Sequence, residues 1–421
     1  MSLLIKPEKF LRECLDRALD HVQAASALPP HLPDLKRLPR GRIFLLGAGK
    51  AAAAMARAAE DYLLPQIGNS GSLQGDIIVP DGYEATTRNV TVHKASHPTP
   101  DQRGLAATKQ IIETINNARK DDTILFLISV GASILMVAPV TGLTWQELQK
   151  INRTLLESGA PITVINQIRK ALSRVKGGRL GYMARKSYCR TFLISDVAGD
   201  DPAQIGSGPT IIKPGNIDIE QSLRGAETYL PDAIAKKVAT LIQHNQPDHQ
   251  NIRKAQHPFL VIANGRQALL AAQSYARSQD VETIIISDRL IGSATTNAKE
   301  HIDIIEKIIA GNGPITPPCL LLSGGELTVS HSNNGRGGPN TEFILHLINT
   351  IFDRPKIASR LYALACDTDG VDGSGDNAGA IITPEIIKYL KSDHRSGQAI
   401  NNALHNHDSY GFFQRLGKGL I

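Results

Sequence analysis

The stretch from Thr191 to Thr210, TFLISDVAGDDPAQIGSGPT, holds the densest group of side chains able to do chemistry. Residues 191–194 are uncharged and β-favouring, so they predict a short strand, which opens into a loop containing Asp196, Asp200 and Asp201. In an open α/β sheet, groups beyond the carboxyl ends of the strands face the ligand crevice. The three acids and the Gly/Ser turn therefore suggest handling of a divalent cation and of phosphate, although the same residue types also suit a polar surface turn.

Lys50 is a second candidate, because it follows RIFLLGAG, a predicted strand and glycine turn, and precedes an Ala-rich helix. At the start of a helix the free N–H groups and the dipole favour an anion, and a lysine adds a full charge. A solvated lysine is the alternative. The pattern is not a phosphate-binding P-loop, because Ala51 stands where a Ser or Thr would reach the metal.

The same turn partly fits a dinucleotide-binding fingerprint through Gly47, Gly49 and Ala52. That fingerprint requires an acidic ribose partner at the end of a second strand. Asp76 precedes the predicted strand IIVP, and Asp81 follows it too late. The sequence therefore gives little support to a nicotinamide cofactor.

Three further loops contain small or charged residues after predicted strands. Residues 129–133 are small and follow the buried run TILFLIS, as expected where the backbone approaches a ligand. Arg336, in the glycine-rich loop 331–342, is a candidate for neutralising phosphoryl charge, in a loop that can close. The acidic turn 367–376 fits a calcium loop poorly, and we interpret His97 as a turn-fixing residue rather than a base.

Composition indicates a globular chain with small-molecule chemistry. The 421 residues, 42% hydrophobic and 20% charged, predict two domains. The net charge is +6, but lysines and arginines are scattered and only 5% of the residues are aromatic. This pattern favours small anionic ligands and argues against nucleic-acid binding.

Three features predict a cytoplasmic protein without a membrane segment. The four cysteines are far apart, which favours a reducing compartment. The N-terminus lacks the apolar core of a signal peptide. Residues 123–146 carry no charge, but their glycines and proline favour a strand and a turn over a membrane-spanning helix.

Alternating apolar runs and helical segments predict an α/β fold with two three-layer α/β/α domains. In residues 1–240, strands from RIFLL to TFLIS alternate with helices and indicate a Rossmann-like domain with a mainly parallel sheet. A polar stretch over 231–257 predicts the boundary. In residues 241–421, FLVIAN, ETIIIS and PCLLLS start a second series and GELTV returns antiparallel, which predicts a mixed sheet.

Several segments, in order along nearly the whole chain, resemble the MOFRL-containing glycerate 2-kinase family, whose members are often labelled hydroxypyruvate reductases. They are GAGKAA (47–52), SHPTPDQRG (96–104), INQIRKALSRVKGGRLG (165–181), SDVAGDDPAQIGSGPT (195–210), SGGELTV (323–329), GRGGPNTEF (335–343) and DTDGVDGSGDNAGA (367–380). The resemblance implies an N-terminal glycerate kinase domain and a C-terminal MOFRL-type domain, with the active site in the cleft between them.

The resemblance also implies the reaction: ATP and Mg²⁺ phosphorylate the small-molecule substrate D-glycerate to 2-phosphoglycerate. Lys50, Asp196 and Arg336 match the catalytic positions. Asp196 and Asp200 would hold the metal, or Asp196 would take the hydroxyl proton; both alternatives stay open. Further matched positions would bind substrate or nucleotide; they are Gly47, Gly49, Ser129, Ser133, Asn166, Lys176, Ser323, Glu326, Asn340, Glu342 and Asp369. A homodimer is compatible with this pattern.

Four substitutions and the C-terminus depart from the family pattern. Val130 and Ala132 replace loop glycines, Ala171 replaces a histidine, and Pro339 replaces an arginine. We expect Val130 to resist a positive φ, and we expect the short C-terminus to remove a closing strand or polar groups. A catalytically weakened protein that binds an anionic metabolite is therefore a second hypothesis, and an NAD(P)H-dependent hydroxypyruvate reductase is a third.

Overall fold

The computed structural model describes residues 6–67, 72–213, 217–245, 256–329 and 335–421. The chain divides into two compact units. The first unit is Val22–Asn264, and the second unit combines Met1–His21 with Gly265–Ile421. None of the helices within the described ranges has the length and apolar composition needed to cross a bilayer.

Six parallel strands form the sheet of the first unit. They are β1 (Ile43–Ala48), β2 (Leu73–Pro80), β3 (Val90–Ala95), β4 (Thr123–Ile128), β5 (Tyr188–Ile194) and β6 (Phe259–Ala263). Their spatial order is β3-β2-β1-β4-β5-β6, so the order reverses between β1 and β4. Every residue of β1 and β4 is buried, as expected for central parallel strands covered on both faces. The predicted parallel sheet is therefore confirmed.

Helices follow the strands and cover both faces of this sheet. In the described residues up to 244, the α-helices are α1 (Pro7–Val22), α2 (Ala24–Ala27), α3 (Ala52–Ile67), α4 (Gln102–Asn116), α5 (Ala132–Leu135), α6 (Trp145–Glu157), α7 (Ile162–Ala171), α8 (Arg179–Met183), α9 (Ile219–Tyr229) and α10 (Asp232–His244). Along β1, Leu46 packs in one apolar cluster with Ile111 of α4, while Leu45 packs in another with Met55 of α3. The alternation places one cluster on each face.

The second unit contains two small sheets among seven helices in its described part after residue 264. The parallel pair is β7 (Glu282–Leu290) with β8 (Cys319–Gly325), and the antiparallel pair is β9 (Ala363–Cys366) with β10 (Gly379–Ile382). The helices are α11 (Gly265–Ser278), α12 (Ala294–Ile309), α13 (Pro339–Ile351), α14 (Pro355–Ala358), α15 (Pro384–Lys391), α16 (Ser396–His405) and α17 (Ser409–Leu416). The mixed strand directions agree with the sequence, but GELTV forms only a parallel bridge between Thr328 and Ser293 rather than an antiparallel strand.

Two segments lie in a different unit from the one that the sequence predicted. FLVIAN forms β6, which pairs with β5 in the first sheet, so the first unit ends at Asn264 and not at residue 240. The polar stretch instead connects α10 to β6; its residues 246–255 lie outside the described ranges. The N-terminal helix belongs to the second unit, where Phe10 packs with Ala276 and Leu320.

The C-terminal residues pair with β10. Ala378 N–H donates to the Ile421 carbonyl at 2.7 Å, and Ile421 N–H donates to the Gly379 carbonyl at 3.1 Å. Leu420 also forms an antiparallel bridge with Ala380. The last residues of the chain thus pair with the edge of β10. The expected loss of polar groups or of a closing strand stays a prediction.

Candidate active site

Polar residues meet at the carboxyl edge of the first sheet. Lys50 follows β1, Ser129 follows β4, Asp196 follows β5 and Asn264 follows β6. These four strands are neighbours in that order. Because the strand order reverses between β1 and β4, this edge is where an open α/β sheet binds its ligand.

The turn that carries Lys50 is held against the loop after β4. Lys50 N–H donates to the Val130 carbonyl at 2.9 Å, and Ala51 N–H donates to Ser129 Oγ at 3.0 Å. Gly49 has a φ of 130°, and a Cβ atom there would lie 2.2 Å from Ser129 Oγ. Only glycine fits this position, and the Ser129 hydroxyl has a structural task at the turn.

Gly47 has a different reason to be glycine. It lies inside β1, where a Cβ atom would lie 1.9 Å from the Leu127 carbonyl oxygen of β4. Close approach of two neighbouring strands therefore explains this residue, without the ligand contact predicted for it.

The loop after β4 does not carry the strain expected from Val130. The positive φ of 85° falls on Gly131, the residue before α5, and Val130 has no positive φ. The strain expected from a positive φ at Val130 therefore does not arise, because glycine is kept at the left-handed position. Ala132 is buried against Gly206, and Ser133 Oγ lies 2.7 Å from Ser207 Oγ.

Electrostatic interactions connect Lys50 with three other groups at this edge. Lys50 Nζ lies 5.4 Å from the centre of the Tyr83 ring. Asp196 is exposed to solvent, yet neighbouring protein atoms partly desolvate its carboxylate and raise its pKa. The charge of Lys50 opposes this rise in pKa. Burial, aided by the same lysine charge, lowers the pKa of His97. The charge of Lys50 therefore acts on both an acid and a neutral imidazole.

The other carboxylates of the acidic loop have protein partners. Asn264 Nδ2 donates to Asp200 Oδ2 at 2.8 Å, and Asp200 has a positive φ of 54°. Asp201 Oδ1 accepts from Ala203 N–H at 3.1 Å, and Asp201 Oδ2 lies 3.6 Å from the ammonium of Lys213. Asp201 therefore stabilises the loop itself.

The acidic loop offers a divalent cation few protein ligands. Among the residues that the structure describes, no three His, Cys, Asp or Glu side chains are grouped as metal ligands. Magnesium usually binds through one or two carboxylates together with substrate phosphates and water. Asp196 and Asp200 would be the carboxylates available for such a smaller set of oxygen ligands.

Lys176 supports the loop after β4 from inside the protein. Its Nζ donates to the carbonyl of Met136, the C-cap residue of α5, at 3.2 Å. Burial lowers the pKa of Lys176 to about 8, and the charge of Arg169 contributes. Asn166 lies half-buried on α7, and Ala171 at the end of that helix is buried in an apolar cluster. Ala171, which stands where the family pattern has a histidine, therefore packs in the apolar core.

Arg336 lies in the second unit, in a segment anchored on both sides. Its N–H donates to Asp408 Oδ1 at 3.2 Å, and its carbonyl accepts from Tyr410 N–H at 2.9 Å. Its exposed guanidinium lies 4.3 Å from the centre of the Tyr410 ring. The described part of the predicted closing loop, 335–338, is thus fixed in place; residues 331–334 lie outside the described ranges.

Asp372 is a buried cap for α13. Its two oxygens accept from the backbone N–H groups of Asn340 at 2.9 Å and Thr341 at 2.8 Å. Asn340 Nδ2 and Thr341 Oγ1 donate to the same carboxylate at 3.1 and 2.7 Å. Asn340, predicted as a ligand residue, therefore helps to build the helix start, where Pro339 occupies the first turn that tolerates proline.

Ser323 uses its hydroxyl inside the second unit. His301 Nδ1 lies 2.7 Å from the Asn297 carbonyl, so this nitrogen carries the hydrogen. Its Nε2, at 2.9 Å from Ser323 Oγ, therefore accepts from the serine. Burial lowers the pKa of His301, which favours this neutral form.

The remaining predicted ligand residues also lie in the second unit. Glu342 is buried and has His407 Nδ1 at 3.2 Å from each of its oxygens. Asp369 Oδ1 accepts from Val371 N–H at 3.0 Å in the acidic turn. Glu326 follows β8 and is exposed. Glu342 is thus internal, whereas Glu326 is open to solvent.

The structure groups the predicted residues by unit. Gly49, Lys50, Ser129 and Asp196 meet at the carboxyl edge of the first sheet, and Arg336 lies in the second unit. Sequence reasoning missed Asn264 and Tyr410, and it identified Asp372 only as one acid of the turn 367–376. Asn264 could have been found as the polar residue directly after the strand FLVIA, had that strand been assigned to the first sheet.

Comparisons with known proteins agree with this architecture. Residues 10–243 match the family described as Domain of unknown function (DUF4147), and residues 319–421 match the MOFRL family. The glycerate 2-kinase of Pyrococcus horikoshii is 31% identical over 91% of this chain and 84% of its own. A protein of Agrobacterium vitis, 34% identical over 98% of this chain and 90% of its own, carries a provisional hydroxypyruvate reductase name.

A solved structure is similar over both units. The crystal structure of the glycerate kinase of Thermotoga maritima aligns with a TM-score of 0.83 and 28% identity, covering 98% of this chain and 95% of that chain. Two family models in the same order, relatives named glycerate kinases and this structural match agree. The chain belongs to the glycerate 2-kinase family.

Proposed function

We propose that this protein transfers the γ-phosphoryl group of ATP to D-glycerate and forms 2-phosphoglycerate. The observation that carries the proposal is the position of Lys50 and Asp196 at the ligand edge of the first sheet, where the charge of Lys50 acts on the Asp196 carboxylate. Relatives named glycerate kinases support the choice of substrate. Both cofactors, ATP and Mg²⁺, belong to this proposal.

Lys50 is suited to the charge on the transferred group. It precedes α3, where free N–H groups and the helix dipole already favour an anion. Phosphoryl transfer depends mainly on positioning and on neutralising charge on the γ-phosphoryl oxygens. We assign Lys50 this neutralising role and assign Arg336 a second, bidentate contact with phosphoryl or substrate oxygens.

Asp196 has two roles open to it. As an ionised carboxylate it can accept the proton of the attacking glycerate hydroxyl. Alternatively, Asp196 and Asp200 hold Mg²⁺, which would neutralise charge on the phosphates when bound. In both cases the negative charge of Asp196 is required, and Lys50 helps to keep that charge by opposing desolvation.

A nicotinamide-dependent reductase is the second candidate, and the fold offers one observation in its favour. Asp81 directly follows β2, the position of a ribose-binding acid, although the sequence had placed it too late after the strand. However, both oxygens of Asp81 accept from Arg103, at 2.9 and 2.8 Å. This acid is already engaged, which argues against the reductase.

A two-tube assay separates the candidates. Purified protein is incubated with ATP, Mg²⁺ and D-glycerate in one tube and with NADH and hydroxypyruvate in the other. We expect 2-phosphoglycerate, identified by ³¹P NMR, in the first tube and no oxidation of NADH in the second. NADH oxidation without phosphorylation would contradict the kinase, and product from neither tube would favour the metabolite-binding hypothesis.

A further inference from the structure

The guanidinium of Arg336 rests on an aromatic ring rather than on a carboxylate. Its central carbon lies 4.3 Å from the centre of the Tyr410 ring, within the range of a cation–π contact. Arg336 is exposed, and an exposed arginine otherwise samples many rotamers. Contact with the ring therefore reduces the freedom of the group that is proposed to meet phosphoryl oxygens.

Tyr410 is itself held on two sides. It lies in the first turn of α17 and is only 3% exposed. Its hydroxyl donates to Asp376 Oδ1 at 2.5 Å, and its N–H donates to the Arg336 carbonyl at 2.9 Å. Tyr410 thus contacts both the backbone and the side chain of Arg336, and its ring is held in one orientation.

The neighbouring acids bind other groups. Asp408 accepts from the backbone N–H of Arg336 at 3.2 Å and pairs with Arg415 at 3.0 Å. The hydrogen bond from Tyr410 is the main cause that lowers the pKa of Asp376, and the charge of Arg336 adds to it. The side chain of Arg336 also hydrogen bonds to the Tyr410 side chain. A tyrosine oxygen occupies fewer of the five N–H donors of a guanidinium than a bidentate carboxylate would, so Tyr410 orients Arg336 and leaves donors for a ligand.

We propose that Tyr410, fixed by Asp376, is a positioning residue that orients Arg336 for phosphoryl transfer. This inference rests on the proposed function of Arg336. It predicts that Tyr410 acts through Arg336 and has no separate contribution to the rate. A double-mutant cycle between the two residues measures that dependence.

The cycle uses Arg336→Ala, Tyr410→Leu and the double variant, with kcat and KM measured for ATP-dependent phosphorylation of D-glycerate. We expect Tyr410→Leu to lower kcat/KM about tenfold, mainly through kcat, and Tyr410→Phe to lower it only about threefold, because the ring remains but its hydrogen bond to Asp376 is lost. In the Arg336→Ala background, Tyr410→Leu should have no further effect. Tyr389→Leu is the matched control, because Tyr389 contacts Lys418 Nζ at 4.5 Å in the same kind of pair, and its kinetics should equal the wild type.

A surface variant keeps the test valid if Tyr410→Leu fails to fold. Asp376→Asn weakens the hold on the phenol at an exposed position and should lower kcat/KM about threefold, again only when Arg336 is present. Independent, additive losses in either cycle would overturn the inference. If Arg336→Ala is impaired but Tyr410→Leu and Asp376→Asn are not, the inference alone fails. If Arg336→Ala keeps wild-type kinetics, the proposed function of Arg336 fails together with it.

Discussion

Lys50 and Arg336 are the two cations to which we assign charge neutralisation, and they are held in different ways. Lys50 is half-buried in a turn that hydrogen bonds to Ser129 and Val130. Arg336 is exposed, and the Tyr410 ring limits its orientations. The first cation depends on the sheet edge for its position, whereas the second depends on side-chain contacts.

Arg336→Lys should impair turnover although the charge is kept. A lysine ammonium is a point charge and cannot reproduce the bidentate fork of a guanidinium. We expect kcat/KM for D-glycerate phosphorylation to fall about 10- to 100-fold, the value of one charge-assisted hydrogen bond. Arg289→Lys, an exposed change in the same unit, is the control. Equal kinetics for both variants would remove Arg336 from the site.

At the residue scale, sequence reasoning found groups whose role depends on local context and missed groups whose partners are distant. Lys50 and Asp196 each follow a recognisable strand and turn, so their place at a sheet edge is predictable. Asp372 binds Asn340 across 32 positions, and Tyr410 reaches Asp376 across 34. Pairs of residues so far apart in the sequence leave no local pattern from which the contact could be predicted.

Among the structural elements, α5 is held at its C-terminal end by the buried ammonium of Lys176. The pKa of this lysine falls to about 8 from 10.5, because burial disfavours its charged form. Between these pH values the unfolded chain binds a proton that the folded chain has lost. Folding therefore becomes more favourable as pH rises from 8 to 10.5. Below pH 8 the folded protein bears the full free-energy cost of burying the charged lysine.

Comparison with Lys176→Met isolates this effect. The free energy of unfolding of the wild type, relative to the variant, should rise by about 3 kcal/mol between pH 8 and 10.5. Urea unfolding at several pH values, followed by tryptophan fluorescence of the first unit, measures it. A constant difference across this range would show that Lys176 keeps an ordinary pKa.

The cap of α13 should be a major contribution to the stability of the second unit. Asp372→Ala leaves two backbone N–H groups and two side-chain donors without their acceptor inside the protein. We expect a loss of about 3 kcal/mol, seen as faster hydrogen exchange in the first turn of α13. Asp393→Ala, at an exposed position, should leave that exchange unchanged.

Element types were predictable where the apolar period was clear, as in β1 and β4. The conformation of the loop after β4 was not, because composition does not say which residue takes the left-handed φ. The family pattern has glycine where this chain has Val130, which suggested strain at that residue. In the structure the positive φ of 85° belongs to Gly131 instead. The argument that this loop damages the site therefore loses its physical basis.

For the whole molecule, the main finding is that the second unit is built from both ends of the chain, Met1–His21 and Gly265–Ile421, whereas the first unit is the continuous segment between them. Phe10 of α1 is 4% exposed and packs with Ala276 and Leu320. The sequence could not reveal this, because an amphipathic helix shows that it has a partner face but not which one. For the same reason, the polar stretch over 231–257 was interpreted as the domain boundary, although the first unit continues to Asn264.

Phe10→Ala should therefore loosen the second unit. Removing a buried phenylalanine costs about 3–5 kcal/mol. We expect faster hydrogen exchange in α11 and β8, with the strands β1 to β6 unchanged. Leu156→Ala, where the side chain is 60% exposed, is the control. Faster exchange confined to the first sheet would contradict the assignment of α1.

The rate of 2-phosphoglycerate formation by Lys50→Ala tests the central claim most directly. If Lys50 neutralises the transferred phosphoryl group, kcat should fall about 100- to 1,000-fold while thermal unfolding stays that of the wild type. Lys94→Ala, a change on β3 of the same sheet, should retain wild-type kcat. A Lys50→Ala protein that turns over as fast as the wild type would contradict the account.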